Sequence, residues 1–395
     1  MKINLKIQPR FRLPLITWIL LGLMGIAFVI AMVRFVSGIG AISNLSNAYP
    51  WGFWVSFDLY TGIAISSGAF IITSIVYIFE LEQFRPLVRP ALLTGILGYI
   101  MEVIALLVDL GHPERIWHYF VYQNFSSFLL IIGLFVMAYT AIMIVEFAPT
   151  ILERFKLEKQ ASVIRRFMKP LVIIGAVIST LHQGALGSLL LIQPTKLHPL
   201  WWTAILPILF FISAIAIGLA MIIFESTLSS RYFKRGLESH LLNKLGKSIP
   251  IVLAVYLVLK FGEIIWVGDF QYLFSSGVMS ILFWVEIMIS SIIPIVWFSI
   301  KRLRQNPNSL LLGAIILLVG MIFNRFNVSW FALQHADPIT YIPTFMSNVK
   351  YIPSVPEVAV SIGIFAAGIL AFGIAAKYLP IFEEETDQPH LPTGD

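Results

Sequence analysis

Asp58, Glu102, Asp109, His112 and His182 lie within or at the ends of stretches otherwise built from Leu, Ile, Val, Phe and Ala. Further along, Lys260, Glu263, Glu286 and Arg325 have the same setting. An ionisable group in hydrocarbon costs about 2.5–3.5 kcal/mol at mid-helix, so each needs a partner, water or a task. On a helix, Glu102 and Asp109 share a face, and Asp109 with His112 and Lys260 with Glu263 are i,i+3 neighbours. Two chemistries can use such a set. A quinone needs hydrogen-bond donors at its carbonyls and two protons per two-electron reduction. His182 or His112 suits both roles, with Asp109 or Asp58 orienting the histidine or relaying protons. Gln183 and the small residues Gly184, Ala185, Gly187 and Ser188 beside His182 give close packing or room for a ring. Alternatively, the same groups line an ion or proton path.

Structural readings compete at each position. His182 can make a helix-packing hydrogen bond, and Asp109 with His112 can close a helix before Gly111 and Pro113. Lys260 and Glu263 can form an ion pair, Glu286 can partner Lys260 or Arg325, and Arg34 is expected to snorkel to the outer headgroups. Glu80, Glu146 and Glu225 recur at the cytoplasmic ends of three spans, where they can pair with basic loops or take up protons.

The elements that must hold these residues are membrane helices. Of 395 residues 58% are hydrophobic and 12% charged, against roughly a quarter charged in soluble domains. Apolar stretches near 13–36, 52–79, 90–110, 124–147, 170–193, 202–228, 248–267, 276–300, 309–330 and 357–379 are each long enough to cross about 30 Å of hydrocarbon. The class is therefore all-α and polytopic, with ten spans in one integral membrane domain. The first span exceeds the apolar core of a secretory signal and is read as retained. Segments 151–168 and 230–245 are expected as amphipathic surface helices. The tail 380–395 is acidic and expected to be disordered. Outer loop 331–356, with prolines 338, 343, 353 and 356, is expected to form an interfacial plug or a partner's docking surface.

Segments 1–14, 80–89, 148–169, 229–247 and 301–308, with Lys377, hold 21 of the 27 Lys and Arg. The opposite loops hold only Arg115, Lys196 and Lys350. Both termini are thus expected in the cytoplasm of a prokaryote, with the spans in its inner membrane. This asymmetry accounts for the net charge of +6 without nucleic-acid binding. Absence of cysteine excludes disulfides and cysteine-ligated iron–sulfur clusters here. Of seven histidines, His240 and His390 fall on the cytoplasmic side, and His118, His198 and His335 in outer loops. Only His182 is clearly within a span, which argues against haem. No metal motif or phosphate loop is present.

The runs NAYPWGFWVSFDLYTG from Asn47, FRPLVRPALLTG from Phe84, VDLGHPER from Val108, EFAP from Glu146, LHQGALGSL from Leu181, KLHPLW from Lys196, IIFES from Ile222, KFGE from Lys260 and FWVE from Phe283 resemble the NrfD/polysulfide-reductase membrane-subunit family, in its longer ten-span branch typified by HybB. The resemblance implies two four-helix bundles, spans two to five (52–193) and six to nine (202–330), and no redox centre in this chain. It implies electron exchange between a quinone such as menaquinone and an extrinsic ferredoxin-like iron–sulfur subunit, joined to a catalytic or cytochrome subunit. Such a chain is not catalytic alone. The quinone is expected near the outer surface of the first bundle, at Asp58, Glu102, Asp109, His112, His182 and Gln183. Shorter family members carry Arg at the place of His112. Lys260, Glu263, Glu286, Arg325, Glu225 and Glu146 are the residues for a coupled proton path. The alternatives are an ion or proton transporter without quinone chemistry, or a structural anchor.

The topology has a direct test. Single cysteines at Ser162 or Ser239 should resist an impermeant thiol reagent in intact cells, while one at Ser275 should react. Labelling of Ser162 from outside would reverse the assignment.

Overall fold

The computed structural model describes residues 14–46, 49, 51–192, 197–275, 277–333 and 351–382. Lys2, Lys6, Arg10, Arg12, Lys196, His335, Pro338, Pro343, Lys350, His390 and residues 383–395 lie outside them. Ten helices are long and apolar enough to cross a membrane: Leu15–Ser37, Val55–Ile78, Glu82–Asp109, Phe128–Arg154, Met168–Leu191, Leu206–Phe233, Ser239–Val267, Val278–Ser299, Pro307–Leu333 and Val355–Tyr378. They are spans one to ten below. Among the described residues there is no strand, only an isolated bridge between Ser46 and Tyr49. The chain is an integral membrane protein.

Several helices outrun the apolar stretches that define them. The 29 residues of span seven cover about 43 Å at 1.5 Å per residue. Span seven starts at Ser239 because Leu241, Leu242 and Leu245 bury against the core one turn later. The expected surface helix at 230–245 is therefore not separate: its first part ends span six and its last begins span seven. A left-handed residue at Lys234 makes the break. The other expected surface helix is shorter than 151–168. Span four runs on to Arg154, and a helix over Glu158–Arg166 follows a left-handed turn at Lys156.

Spans one and ten pack on each other, and span ten also lies on span three. Span two is central, touching spans three, five, six and nine. Its crossing with span six is made by glycines. A Cβ on Gly218 would sit 2.8 Å from the Gly68 nitrogen, and Ser67 donates to the Ala214 carbonyl at 2.7 Å. Such close approach gives helices their grip where lipid provides no hydrophobic drive. Spans two and eight each contain π-helical turns, Val55–Gly62, Ser74–Ile78 and Met288–Ile292. Single π turns inside α-helices recur at functional sites.

Arg34 does not snorkel. It is 2% exposed, donates from Nε to the Val108 carbonyl at 2.6 Å and binds the Leu110 carbonyl through Nη2. These carbonyls lie at the end of span three, where the helix has no further amides to offer. A cation there also faces the negative end of the helix dipole. Desolvation is thereby offset without reaching the headgroups.

Candidate functional site

Two sets of polar side chains lie within the spans. They solve the burial problem differently.

The first centres on Glu286 of span eight, which is fully buried. Oε2 accepts from Trp201 Nε1 at 2.6 Å and Asn327 Nδ2 at 2.7 Å. Oε1 accepts from Asn324 Nδ2 at 2.6 Å and Lys260 Nζ at 3.1 Å. Arg325 continues the network. It donates to Asn324 Oδ1 at 3.0 Å and Ser213 Oγ at 2.8 Å, and its guanidinium lies 4.0 Å from the Phe210 ring centroid. The carboxylate thus has four donors, one of them a cation, which is what an ion needs in a low dielectric. The expected Lys260–Glu263 pair is corrected. Lys260 turns to Glu286 in the core, while Glu263 is half-buried and bonded to Thr203.

The second set lies on spans two, three, five and ten. Asp58 sits in the first π turn of span two. Ser361 of span ten donates to its Oδ2 at 2.7 Å, and its Oδ1 has no partner. Glu102 is buried, and neither of its carboxyl oxygens is bonded. No cation is bonded to either acid among the described residues. One turn from Glu102, the Tyr99 hydroxyl meets His182 Nδ1 at 3.0 Å, leaving His182 Nε2 unbonded. Tyr99 also packs edge-on to Tyr139, their ring centroids 5.2 Å apart. Gln183 donates to the Ile63 carbonyl at 3.4 Å, with its Oε1 free of partners.

A cavity of about 910 Å³ reaches this set. It is bounded by spans one, two, three, six and ten and lined mostly by apolar side chains, with Asp58, Glu102, Ser66 and Thr94 among its polar ones. Its size is at the upper end of small-molecule sites. His182 and Gln183 do not line it. Neither bonds to Glu102: His182 meets Tyr99, and Gln183 meets the Ile63 carbonyl of span two.

Asp109 and His112 separate from this group. The backbone leaves the helix at Leu110, with ψ 127°, so the helical i,i+3 relation is lost. Asp109 is half-buried beside Arg34. His112 is exposed and pairs with Glu114 at 2.9 Å. The pair therefore does not converge on His182.

The three glutamates at the span ends also differ. Glu80 pairs with Lys169 at 2.6 Å, and that ammonium holds its carboxyl below the usual range. Glu146 and Glu225 are buried instead, each with a carboxyl oxygen lacking a partner, and Glu225 lines the cavity.

Sequence reasoning missed Ser361, Tyr99, Trp201, Asn324, Asn327 and Glu357. The last is fully buried and closes a capping box with Ser354. The SVPE run at 354–357 carried that signal. Asn324 and Asn327, one turn apart around Arg325, were legible as a polar face in an apolar span.

A family model described as polysulphide reductase, NrfD, matches residues 24–333. The chain belongs to the NrfD family. It is 34% identical over 368 residues to a protein of Nitratidesulfovibrio vulgaris, covering 91% of this chain and 92% of that one. It is 30% identical over 370 residues to the probable Ni/Fe-hydrogenase 2 b-type cytochrome subunit of Escherichia coli, covering 92% of each. It is also 30% identical to the menaquinone reductase integral membrane subunit of N. vulgaris, covering 89% of this chain and 87% of that one. The b-type cytochrome in one name raises the question of haem. Among the described residues the span helices hold two histidines: His240, exposed in the first turn of span seven, and His182, whose Nδ1 is already engaged by Tyr99. The donor set does not fit a haem held by paired histidines.

The Glu286 network predicts a stability signature. Lys260→Met should cost about 3–5 kcal/mol by stranding a buried carboxylate, and Lys260→Met with Glu286→Leu should recover most of it. Denaturant unfolding of the purified protein in detergent measures both. A double variant no better than the single one would count against the pair.

Proposed function

We propose that this chain is the quinone-reacting integral membrane subunit of a multisubunit oxidoreductase. It exchanges electrons between a quinone of the menaquinone class and a redox group held by an extrinsic partner. One observation carries the reading: two buried acids, Asp58 and Glu102, with three carboxyl oxygens unbonded, end a cavity the size of a lipid-soluble ligand. A carboxyl group donates its proton to a quinone carbonyl, or accepts one from a quinol. Both are what a two-electron, two-proton couple requires. The names of relatives support the choice of ligand: menaquinone reductase in N. vulgaris and an Hdr-like menaquinol oxidoreductase in Archaeoglobus fulgidus.

In this reading Glu102 and Asp58 face the headgroup. Tyr99, one turn from Glu102 on the same helix, and the His182 bonded to it form the nearest further proton-exchanging pair. Asp109 lies further toward the outer end of span three, and His112 takes no part. The electrons pass to iron–sulfur clusters of a ferredoxin-like subunit, since the chain has no cysteine of its own. A catalytic or cytochrome subunit completes the path. The spans lie in the inner membrane of a prokaryote with both termini in the cytoplasm, following the basic loops.

In the intact complex, Glu102→Gln should lower quinone-linked turnover about 10–100-fold, the range of a lost general acid or base. Reduction of artificial acceptors at the partner's clusters should persist. Equal loss of both activities, with assembly intact, would refute a local role.

Coupled proton uptake is favoured by Glu225, a buried acid that lines the same cavity from span six, one turn from Met221. Lys260, Glu286 and Arg325 are then structural, because both oxygens of the Glu286 carboxylate are taken by donors, and Glu263 is bonded to Thr203 apart from them. Glu225→Gln in sealed vesicles should lower the proton gradient per electron more than it lowers turnover. Glu286→Gln should leave that ratio unchanged. The opposite pattern would move the path to the second set of spans.

A further inference from the structure

The cavity is much longer than a quinone headgroup needs. Its wall on span ten runs from Ile364 to Tyr378 and on span six from Met221 to Phe233, about 21 and 18 Å at 1.5 Å per residue. One end holds Asp58 and Glu102. The other is framed by Pro14 and Thr17 of span one, Tyr232 of span six, and Lys377 and Tyr378 of span ten. Between these ends the lining is mostly apolar, with Leu97, Met101, Phe224, Phe365 and Phe372 prominent, interrupted by Ser66, Thr94, Glu225 and Ser229. Water gains nothing from such walls, whereas a hydrocarbon chain does. At the end away from the acids, Leu228, Ile374 and Tyr378 are exposed to the surroundings. The main interfaces of span ten are with spans one and three rather than span six, so the cavity opens sideways between spans six and ten.

We propose that the cavity between spans six and ten is the path of the quinone's isoprenoid tail, which runs from the acid pair toward the end of the helices near Lys377. The inference rests on the quinone reading of the acid pair and adds a direction to it. The headgroup lies deep, the tail trails toward the cytoplasmic leaflet, and the ligand enters and leaves through the gap between spans six and ten. Three features fit this one occupant. The cavity is continuous with the polar end, several isoprene units long, and lined by side chains exposed to lipid toward its far end.

Two glycines make the proposal testable. Neither Gly62, beside the acids, nor Gly373, near the far end, has any atom within 4 Å of an added Cβ, and both line the cavity. A leucine at either position therefore grows into the space without displacing its neighbours. Gly25, on the exposed face of span one, has the same freedom away from the cavity and serves as control for a glycine lost from a helix.

The three variants, assembled in the intact complex and reconstituted in liposomes, would be assayed with a long-tailed menaquinone and with tailless 2,3-dimethyl-1,4-naphthoquinone. Gly373→Leu should raise the KM for the long-tailed quinone about tenfold, as excluding roughly two methylenes from an apolar site would. It should leave the tailless one unaffected. Gly62→Leu should impair both, and Gly25→Leu neither. Quinone extracted from the purified complex should fall in Gly373→Leu. If Gly62→Leu alone acts, the tail takes another route and the proposal falls while the headgroup reading stands. If neither cavity variant affects any quinone, both fall. If Gly373→Leu loses bound phospholipid and keeps its quinone, the space holds a lipid acyl chain and the proposal is overturned.

Discussion

Hydrocarbon offers no water to a charged or polar group, so every ionisable side chain inside these spans must find its solvation in the protein. This constraint is met in two ways by one chain. Around Glu286, spans seven and nine and the turn before span six supply a lysine, two asparagines and a tryptophan, so the carboxylate has every donor it can use. Around Asp58 and Glu102 the helices supply one serine, Ser361. The second arrangement is costly as a piece of architecture. Beside a large cavity it becomes intelligible, because a ligand that exchanges protons completes what the helices leave open.

The rest of the fold follows from placing these two sets. Span two must carry Asp58 toward span ten while holding span six on its other side. Glycine at 68 and 218 lets the two backbones meet, and the π turn from Val55 to Gly62 changes the rotation of the helix where Asp58 emerges. Arg34 ties the peripheral first span to the end of span three. That helps to hold spans one and ten as a wall beside the acids. The buried network of spans six to nine then acts as a rigid backing for span six, whose opposite face lines the cavity.

Hydropathy alone made the ten spans legible, because twenty apolar residues in a row have few other uses. It misplaced ends such as that of span seven. There the helix continues beyond the hydrocarbon, and backbone hydrogen bonding is indifferent to hydropathy. The site was legible in its acids and not in its partners. Asp58 and Glu102 stood out because carboxyls are rare in such stretches. Ser361 did not, because a serine in a membrane helix usually satisfies itself on the preceding turn. The i,i+3 rule suggested Lys260 with Glu263, and a tertiary partner 26 residues of helix and loop away prevailed. The same rule joined Asp109 to His112, but the helix ends at Asp109 and carries the histidine to the surface. His182 was found as a buried group, while its bond to Tyr99 depends on how span five faces span three, which no local pattern encodes.

Span ten has a consequence for how the protein is made. It is the last of the ten helices to emerge from the ribosome, yet it supplies the serine bonded to Asp58 and one whole side of the cavity. Until it arrives, spans two, three and six present a groove with two acids to the membrane. A nascent chain paused before Val355 therefore displays an open trough that lipids or quinone can occupy.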